Sequence, residues 1–243
     1  MPRGQPDYGP LAPKTATASV SDMGEIAARL GSPVVYDKRG DVVFYDDFED
    51  PVLKWRLTGA VPGGYVRHDS TSVRSGAQAL RFYVPGSGND NISVYRGIGV
   101  LASKSLGLEF SFSYLRTNCH FRVALIYYDG ENIHQAEVKI DASALDLSVY
   151  NSAAGWTQVA SWGALYGSEM LFHTVKMVVD FDTDKYKRLL FGPDEYDVST
   201  VAVLTDTNTT APHINIRPLL ATLDSAVGYL IGLDDVILTQ EEP

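Results

Sequence analysis

Two clusters of carboxylates near opposite ends of the chain have the residue types that metal binding or acid–base chemistry requires. Asp234 and Asp235 are adjacent within the apolar segment GYLIGLDDVILTQEEP at residues 228–243. The second cluster is VVFYDDFED at residues 42–50. These residues alone leave three interpretations open: a metal site, a catalytic pair of carboxylates, or a structural seam between terminal strands.

A second candidate site is rich in aromatic residues. The segment GWTQVASWGALYG at residues 155–167 places Trp156, Trp162 and Tyr166 among three glycines. Aromatic rings stack on the C–H faces of sugars, so a loop that presents these rings would suit ligand binding to carbohydrate. The structural alternative is that Trp156 lies in the core and the other two rings cover a sheet edge. Trp55 is expected to fill the core beneath the first strands.

The composition excludes several classes of protein. The 243 residues are 45% hydrophobic, which is enough for one substantial core. A formal net charge of −10 argues against nucleic-acid binding and against docking on an anionic membrane. Cys119 is the single cysteine, so disulfides and multi-thiolate zinc sites are excluded. No apolar run is long enough for a transmembrane helix.

The first 33 residues predict an extended N-terminal arm followed by one short helix. Residues 1–20 contain four prolines and no hydrophobic periodicity, which is typical of an extended segment. The segment SDMGEIAARLGSP at 21–33 predicts the helix, because a Ser-Asp pair can cap its start and Gly31 and Pro33 can end it. An arm of this kind needs a neighbour to hold it, most simply another subunit.

The remainder of the chain is patterned as β-strands. In LGLEFSFSYL (106–115) alternate residues are apolar, so Leu108, Phe110, Phe112 and Tyr114 face one way. HFRVALIYYDG (120–130) is apolar on both faces, as a central strand would be, and HTVKMVVDFDTDKYKRLLFG (173–192) predicts a hairpin. We therefore predict an all-β fold: an antiparallel jelly-roll β-sandwich at 46–243, preceded by the arm, the short helix and a hairpin at 1–45.

Four segments, taken in order, resemble a known group of folds. They are DDFEDPVLKWRLTG (46–59), SVRSGAQALRF (72–82), the hairpin at 173–192 and IGLDDVIL (231–238). Their order is similar to that in concanavalin-like and laminin-G-like jelly rolls, which include carbohydrate-binding sandwich modules. The resemblance covers residues 44–240.

The resemblance implies a location for the two acidic clusters. The first and last strands of such folds commonly lie side by side, which would bring residues 46–50 near Asp234 and Asp235. Many sandwich modules of this type hold a structural calcium ion near their strand ends. Because neighbouring strand residues point to opposite faces, we expect Asp47, Asp50 and Asp235 to be the Ca²⁺ ligands. The alternative is that these carboxylates cap turns and face solvent.

The same resemblance bears on catalysis. Glycoside hydrolases of concanavalin-like fold carry Glu-x-Asp-x-x-Glu on one strand, which aligns alternate carboxylates on one face. In DEYDVST (194–200), Glu195 and Asp197 match the pattern, but Thr200 stands where the acid is required. The pair of carboxylates is incomplete, so we predict that the protein is not an enzyme and has no catalytic residues.

An arm joined to a lectin-like sandwich without a secretion signal resembles the architecture of a bacteriophage virion protein. We therefore predict a non-catalytic structural protein of the virion surface, either a decoration or a tail-associated subunit, assembled in the host cytoplasm. Residues 1–33 would anchor it to other virion subunits or to its own copies in a homo-oligomer. The alternative function is a lectin-like carbohydrate-binding module that binds glycans, and a glycan-active enzyme is a third hypothesis.

Overall fold

The structure is a computed structural model, and it describes most of the chain from Asp37 onward. The described residues are 37, 39–59, 61–86, 90–113, 117–162, 165, 168, 170–223 and 228–243. The predicted arm and helix at 1–33 lie outside these residues. The anchoring role and the division into 1–45 and 46–243 therefore stay predictions.

The residues that the structure describes form sixteen β-strands and contain no helix. In chain order the strands are β1 (Asp41–Asp46), β2 (Arg56–Gly59), β3 (Tyr65–Asp69), β4 (Ala79–Val84), β5 (Asn91–Ile98), β6 (Ser105–Ser113), β7 (Cys119–Tyr128), β8 (Asn132–Asp141), β9 (Asp146–Tyr150), β10 (Trp156–Ser161), β11 (Phe172–Asp180), β12 (Lys185–Phe191), β13 (Asp194–Asp197), β14 (Leu204–Thr207), β15 (His213–Thr222) and β16 (Tyr229–Gln240). Within the same ranges, no helical segment has the length and apolar character needed to cross a bilayer.

The strands form two antiparallel sheets, which we call the front sheet and the back sheet. The front sheet has the order β10-β9-β8-β7-β15-β5-β2, with β14 added beside β8. The back sheet has the order β13-β12-β11-β6-β16-β4-β3, with β1 added beside β16. One continuous apolar core includes residues from both sheets, which confirms the predicted all-β antiparallel sandwich.

Strict alternation along β6 explains how the sheets meet. Leu108, Phe110 and Phe112 are fully buried in the core, as the period-two pattern predicted. The rings of Phe110 and Phe112 lie 6.1 and 6.0 Å from the ring of Phe121, which belongs to β7 of the front sheet. Such aromatic contacts add to the burial of apolar area and join the two sheets.

The predicted hairpin at 173–192 is confirmed. β11 and β12 pair antiparallel, and the turn between them places Asp184 at a positive φ of 52°. A bulge between Val178 and Val179 shifts the register. Tyr186 is buried in the core, where its hydroxyl donates to the carbonyl oxygen of Tyr150 at 2.7 Å.

The terminal strands are neighbours, as the resemblance implied. β1 pairs antiparallel with β16, with Asp46 opposite Val236. Trp55 is buried in the core as predicted, and its indole nitrogen donates to Asp46 at 2.8 Å. The opening and closing segments of the sandwich are therefore joined in the back sheet.

Candidate functional site

Near the centre of the outer face of the back sheet, several charged side chains are buried and pair with each other. Lys176 on β11 is fully buried, and its Nζ lies 3.1 Å from Asp37 and 2.6 Å from Glu242. Arg188 on β12 contacts the same Glu242 carboxylate. Buried charges need such partners, so this network holds the C-terminal tail and Asp37 against the sheet.

The adjacent aspartates of β16 connect a neighbouring loop to the terminal strands. This corresponds to a structural seam, which was one of the three interpretations that the sequence left open. Asp234 accepts hydrogen bonds from the backbone N–H groups of Arg74 at 2.8 Å and Ser75 at 3.2 Å. Asp235 accepts from the hydroxyls of Ser75 at 2.8 Å and Tyr45 at 3.1 Å. Both carboxylates are fully buried. They join the loop between β3 and β4 to the terminal strands.

Burial also changes the acidity of these groups. The pKa of Asp234 is raised to about 7, first by burial and then by the neighbouring charge of Asp235. Burial likewise raises the pKa of Asp235, against the opposing effect of its hydroxyl donors.

Glu49 holds the same loop from the other side, and Gly76 makes this contact feasible. Glu49 Oε1 accepts from the backbone N–H groups of Ala77 at 2.7 Å and Gln78 at 2.8 Å. Gly76 has a positive φ of 68°, and a Cβ there would lie 2.3 Å from Glu49 Oε1. Glycine at position 76 in the segment SVRSGAQALRF (72–82) therefore allows the loop to approach Glu49 this closely.

Of the three predicted calcium ligands, Asp235 and Asp47 lie near each other, whereas Asp50 is engaged elsewhere. Asp235 has one carboxylate oxygen, Oδ2, that is buried without a hydrogen-bond partner, and the charge of Asp47 lies near enough to raise its pKa. Asp50 instead pairs with Lys54 at 2.8 Å and accepts from the N–H of Val52. Within the described ranges, no group of three or more His, Cys, Asp or Glu residues is arranged to hold a metal. Calcium binding at Asp235 therefore stays a proposal, with Ca²⁺ supplying charge compensation for the buried carboxylate.

The incomplete hydrolase pattern lies on an edge strand of the back sheet. Glu195 and Asp197 belong to β13, which pairs only with β12 among the described strands. Glu195 forms an exposed ion pair with Arg39 at 2.7 Å. Glu195 and Asp197 also line a groove of about 590 Å³ at this edge of the back sheet, together with Arg39, Lys187 and Arg188.

The outer face of the front sheet contains two adjoining grooves. The first has a volume of about 380 Å³, and its lining residues belong to β7, β8, β10 and the end of β15. It is lined by His120, Arg122, Lys139, Asp141, Trp156, Ala221, Thr222 and Leu223. Alternation along β7 and β8 brings His120, Arg122, Lys139 and Asp141 outward, since their neighbours point into the core.

Trp156 is the aromatic wall of the first groove. Its ring lies 5.1 Å from the ring of Tyr150 and 5.1 Å from Nζ of Lys139. The guanidinium of Arg122 lies 5.9 Å from the same ring. Cations near an aromatic face are attracted to it, so Trp156 holds two of them at the groove.

His120 lies at the end of this groove and is neutral at physiological pH. Its pKa is lowered to about 4, first by burial and then by the positive charge of Arg122. Asp141, directly opposite on β8, opposes this shift. A neutral imidazole offers one hydrogen-bond donor and one acceptor.

A buried carboxylate separates the two grooves. Glu137 on β8 is buried, and it faces Arg122 Nε at 3.4 Å and Arg217 at 3.7 Å. Gln135 donates to Glu137 Oε2 at 2.7 Å. Glu137 thereby positions one arginine toward each groove.

The second groove has a volume of about 540 Å³ and crosses β2, β5, β15 and the end of β7. Its lining residues are Thr58, Gly59, Asn91, Ser93, Tyr95, Ile126, Tyr128, Thr210, His213, Asn215, Arg217 and Leu219. Three polar residues, His213, Asn215 and Arg217, alternate along β15 and therefore share the outward face.

The imidazole of His213 is held in a defined orientation. Its Nδ1 lies 2.7 Å from the carbonyl oxygen of Ala211, so Nδ1 must donate, and Nε2 is the acceptor in the neutral ring. Asn215 Nδ2 lies 3.0 Å from Nε2, and the ring of Tyr128 stacks on the imidazole at 4.5 Å. Nε2 is thus the basic nitrogen of the ring, and its lone pair accepts from the Asn215 amide in this structure.

The structure separates the residues that the sequence grouped as an aromatic platform. Trp156 begins β10 and Trp162 follows its end, which corresponds to roughly 20 Å along an extended strand. The ring of Trp162 stacks on Phe191 at 5.0 Å, at the margin of the core. Tyr166 lies outside the described residues. Of the three, Trp156 lines a groove.

The other groove residues were missed by the sequence analysis, although a signal for them exists. HFRVALIYY and HINIRPLL each alternate apolar and polar residues in part, and the polar positions include His120, Arg122, His213, Asn215 and Arg217. That alternation identifies an outward face, but it does not show that two such faces lie side by side.

The comparisons with known proteins show the fold. No family model matches the chain, and no curated protein shows a significant sequence match. An endo-β-1,4-glucuronan lyase from the fungus Trichoderma reesei is similar in structure, with a TM-score of 0.54 and 15% identity, over 82% of this chain and 95% of that one. A cellulose-induced protein is also similar, with a TM-score of 0.54 and 12% identity, over 81% of this chain and 96% of that one. A carbohydrate esterase of the Shiga toxin-encoding bacteriophage phi24B has a TM-score of 0.50 and 15% identity, over 83% of this chain and 99% of that one.

These similarities confirm the resemblance at the level of the fold and correct one prediction. The β-sandwich is shared with carbohydrate-related proteins, and no virion structural role is shown. The prediction that the protein is not an enzyme is contradicted, because a glucuronan lyase has the same fold. That prediction rested on the absence of one carboxylate from the Glu-x-Asp-x-x-Glu pattern. It therefore considered one catalytic arrangement on one strand. A fold of this kind supports catalysis with other residues.

Proposed function

We propose that this protein binds a polysaccharide chain along the outer face of its front sheet, and that the sandwich is a concanavalin-like jelly roll adapted to this task. The two grooves adjoin across the face, and the strands from β10 to β2 extend over roughly 29 Å at the usual strand spacing. A cleft of this length accommodates several consecutive sugar units.

One observation carries the proposal: aromatic rings and polar groups line the two front-sheet grooves together, whereas the groove of about 590 Å³ at the edge of the back sheet has no aromatic residue among the described residues of its lining. Trp156, Tyr95 and Tyr128 supply ring faces for stacking on sugars. Asn215 and the arginines lie beside these rings and supply hydrogen bonds. Rings beside a few oriented polar groups are typical of ligand sites.

The similar structures support this function over the predicted virion role. They are a glucuronan lyase, a cellulose-induced protein and a carbohydrate esterase. The phage esterase is compatible with a glycan-binding protein displayed on a virion, which would combine the two hypotheses. The arm at 1–33 and any homo-oligomer stay predictions.

The test is binding to a panel of soluble polysaccharides, measured by affinity electrophoresis and calorimetry. Trp156→Ala is expected to weaken binding at least about tenfold, which is about 1.4 kcal/mol. Trp162→Ala is the matched control, because its ring packs on Phe191 away from both grooves. Binding that is lost in Trp162→Ala and kept in Trp156→Ala would move the site to the loop after β10. Absence of any binding would reject the proposal.

A second candidate function, glycan cleavage, is favoured by the geometry of His213. His213 Nε2 lies beside the Tyr128 ring in a groove that also contains Arg217, so it could abstract a proton from a bound sugar that displaces the Asn215 amide from it. The check is release of shortened chains from any polysaccharide that binds. His213→Gln should abolish release while keeping binding, and His68→Gln on the back sheet should change neither. Equal release of shortened chains by the wild type and by His213→Gln would exclude His213 as the base.

A further inference from the structure

Resting on the proposed glycan site, we infer that its ligand is a polyanionic glycan whose carboxylate or sulfate groups are bound by Arg122, Lys139 and Arg217. These three cations line the two grooves. Asp141 is the one carboxylate among the lining residues of both grooves. The chain as a whole has a formal net charge of −10. With the buried Glu137 between the arginines also counted, three cations face two carboxylates, and even this small local excess of positive charge on so acidic a protein points to an anionic ligand.

The placement of the cations is costly for folding. Arg122 on β7 and Lys139 on β8 are directly opposite in the antiparallel register. Their Cβ atoms are therefore about 5 Å apart, a distance at which like charges destabilise a sheet. Asp141 lies 3.4 Å from Lys139 and offsets part of this repulsion. A ligand anion between the two side chains would offset the rest.

The arginines keep most of their hydrogen-bond donors for a ligand. Glu137 faces Arg122 at 3.4 Å and Arg217 at 3.7 Å, longer than the distances of strong charge-assisted hydrogen bonds. Arg122 Nε is buried and faces Glu137, so the donors that a ligand can reach are those on the two terminal nitrogens of its guanidinium. A guanidinium has five donors that match a carboxylate or sulfate in a two-pronged geometry. Both arginines are therefore oriented by Glu137 without being saturated by it.

The cations are also spread along the face. Arg122 lies opposite Leu219 on β15, and Arg217 lies two residues away on that strand. Arg122 and Lys139 line the first groove, and Arg217 lines the second. Anionic groups that recur along a polymer match this spacing better than a single small anion does. Trp156 adds a ring for the sugar beside the first pair of cations.

The experiment measures binding of the full chain to four polymers of similar length: polyglucuronate, a sulfated glucan, unmodified glucan and a single-stranded polynucleotide. We expect at least a tenfold preference for one anionic glycan over unmodified glucan, and an affinity that falls as salt is raised. Preference for polyglucuronate would identify carboxylates as the bound groups, and preference for the sulfated glucan would identify sulfates. Both results support the inference.

The variants are Arg217→Gln and Lys139→Gln, with Arg122→Gln added if it folds. Each should weaken binding of the anionic glycan at least about tenfold more than it weakens binding of unmodified glucan. Arg67→Gln is the matched control, because this exposed arginine lies on β3 of the back sheet. Equal binding of neutral and anionic glycans would overturn the inference and leave the proposed function standing. Binding to no glycan would overturn both, and polynucleotide binding as tight as the best glycan would also overturn the inference.

Discussion

The fully buried carboxyl group of Glu109 is expected to make the stability of this protein fall as pH rises. Both of its oxygens are buried without hydrogen-bond partners among the described residues. Burial raises its pKa from 4.5 to about 8, although Lys176 and Arg74 oppose the shift. The folded state therefore binds more protons than the unfolded chain between these pH values. Stability from this group is complete below pH 4.5 and is lost as pH rises toward 8.

The size of the effect follows from the two pKa values. A folded pKa of about 8 against 4.5 in the unfolded chain corresponds to about 5 kcal/mol of unfolding free energy lost once pH exceeds 8. About 3 kcal/mol of this is already lost at pH 7. Glu109→Gln removes the ionisation and keeps the shape of the side chain.

The assay is urea unfolding of wild type and Glu109→Gln across pH 4.5 to 9. The free-energy difference between them should shift in favour of the variant with rising pH, by about 3 kcal/mol at pH 7 and about 5 kcal/mol at pH 9. Glu131→Gln, which alters an exposed carboxyl in the turn before β8, should follow the wild-type curve. Parallel curves for wild type and Glu109→Gln would refute the reasoning.

Three other perturbations have expected outcomes. Gly76→Ala should lower the free energy of unfolding by about 2 kcal/mol, because of its positive φ and the contact with a glutamate oxygen; Gly99→Ala, which meets no atom within 4 Å, should be neutral in the same denaturation assay. Lys176→Met should cost about 3–5 kcal/mol by leaving buried carboxylates uncompensated, and exposed Lys185→Met should cost little; comparable losses would contradict the buried network. Calcium should raise the melting temperature of the wild type and not that of Asp235→Asn. If a chelator leaves the melting temperature of the wild type unchanged, the proposal of a bound calcium ion is rejected.

Much of the sandwich could be predicted because its pattern is local. Alternation in β6 identified Leu108, Phe110 and Phe112 as core residues, since side chains on a strand alternate between its faces. The hairpin of β11 and β12 was recognisable from two apolar runs around a polar turn. The pairing of β1 with β16 followed from resemblance to other sandwiches, because residues this distant in sequence have no local signal.

The candidate site was less predictable, and the reason is geometric. The aromatic segment at 155–167 suggested one platform, yet Trp156 and Trp162 lie at opposite ends of β10. Clustering in sequence does not imply clustering in space when the chain is extended. Conversely, Arg122 and Arg217 are far apart in sequence and meet because β7 and β15 are paired.

The amino-acid pattern was sufficient to define the strands, their inward residues and the acidic, cysteine-poor character of the chain, since each of these depends on neighbouring residues or on composition. Which outward face is open was a property of the folded molecule. Glu109 and Ser111 alternate outward on β6 just as Arg122 does on β7, but Glu109 and Ser111 are buried whereas Arg122 lines a groove. The back sheet around β6 is covered by the tail residue Glu242 and by the loop that Asp234 and Asp235 hold in place. Long-range packing of this kind places distant segments over one sheet and leaves the other exposed, and no periodicity within a strand records it.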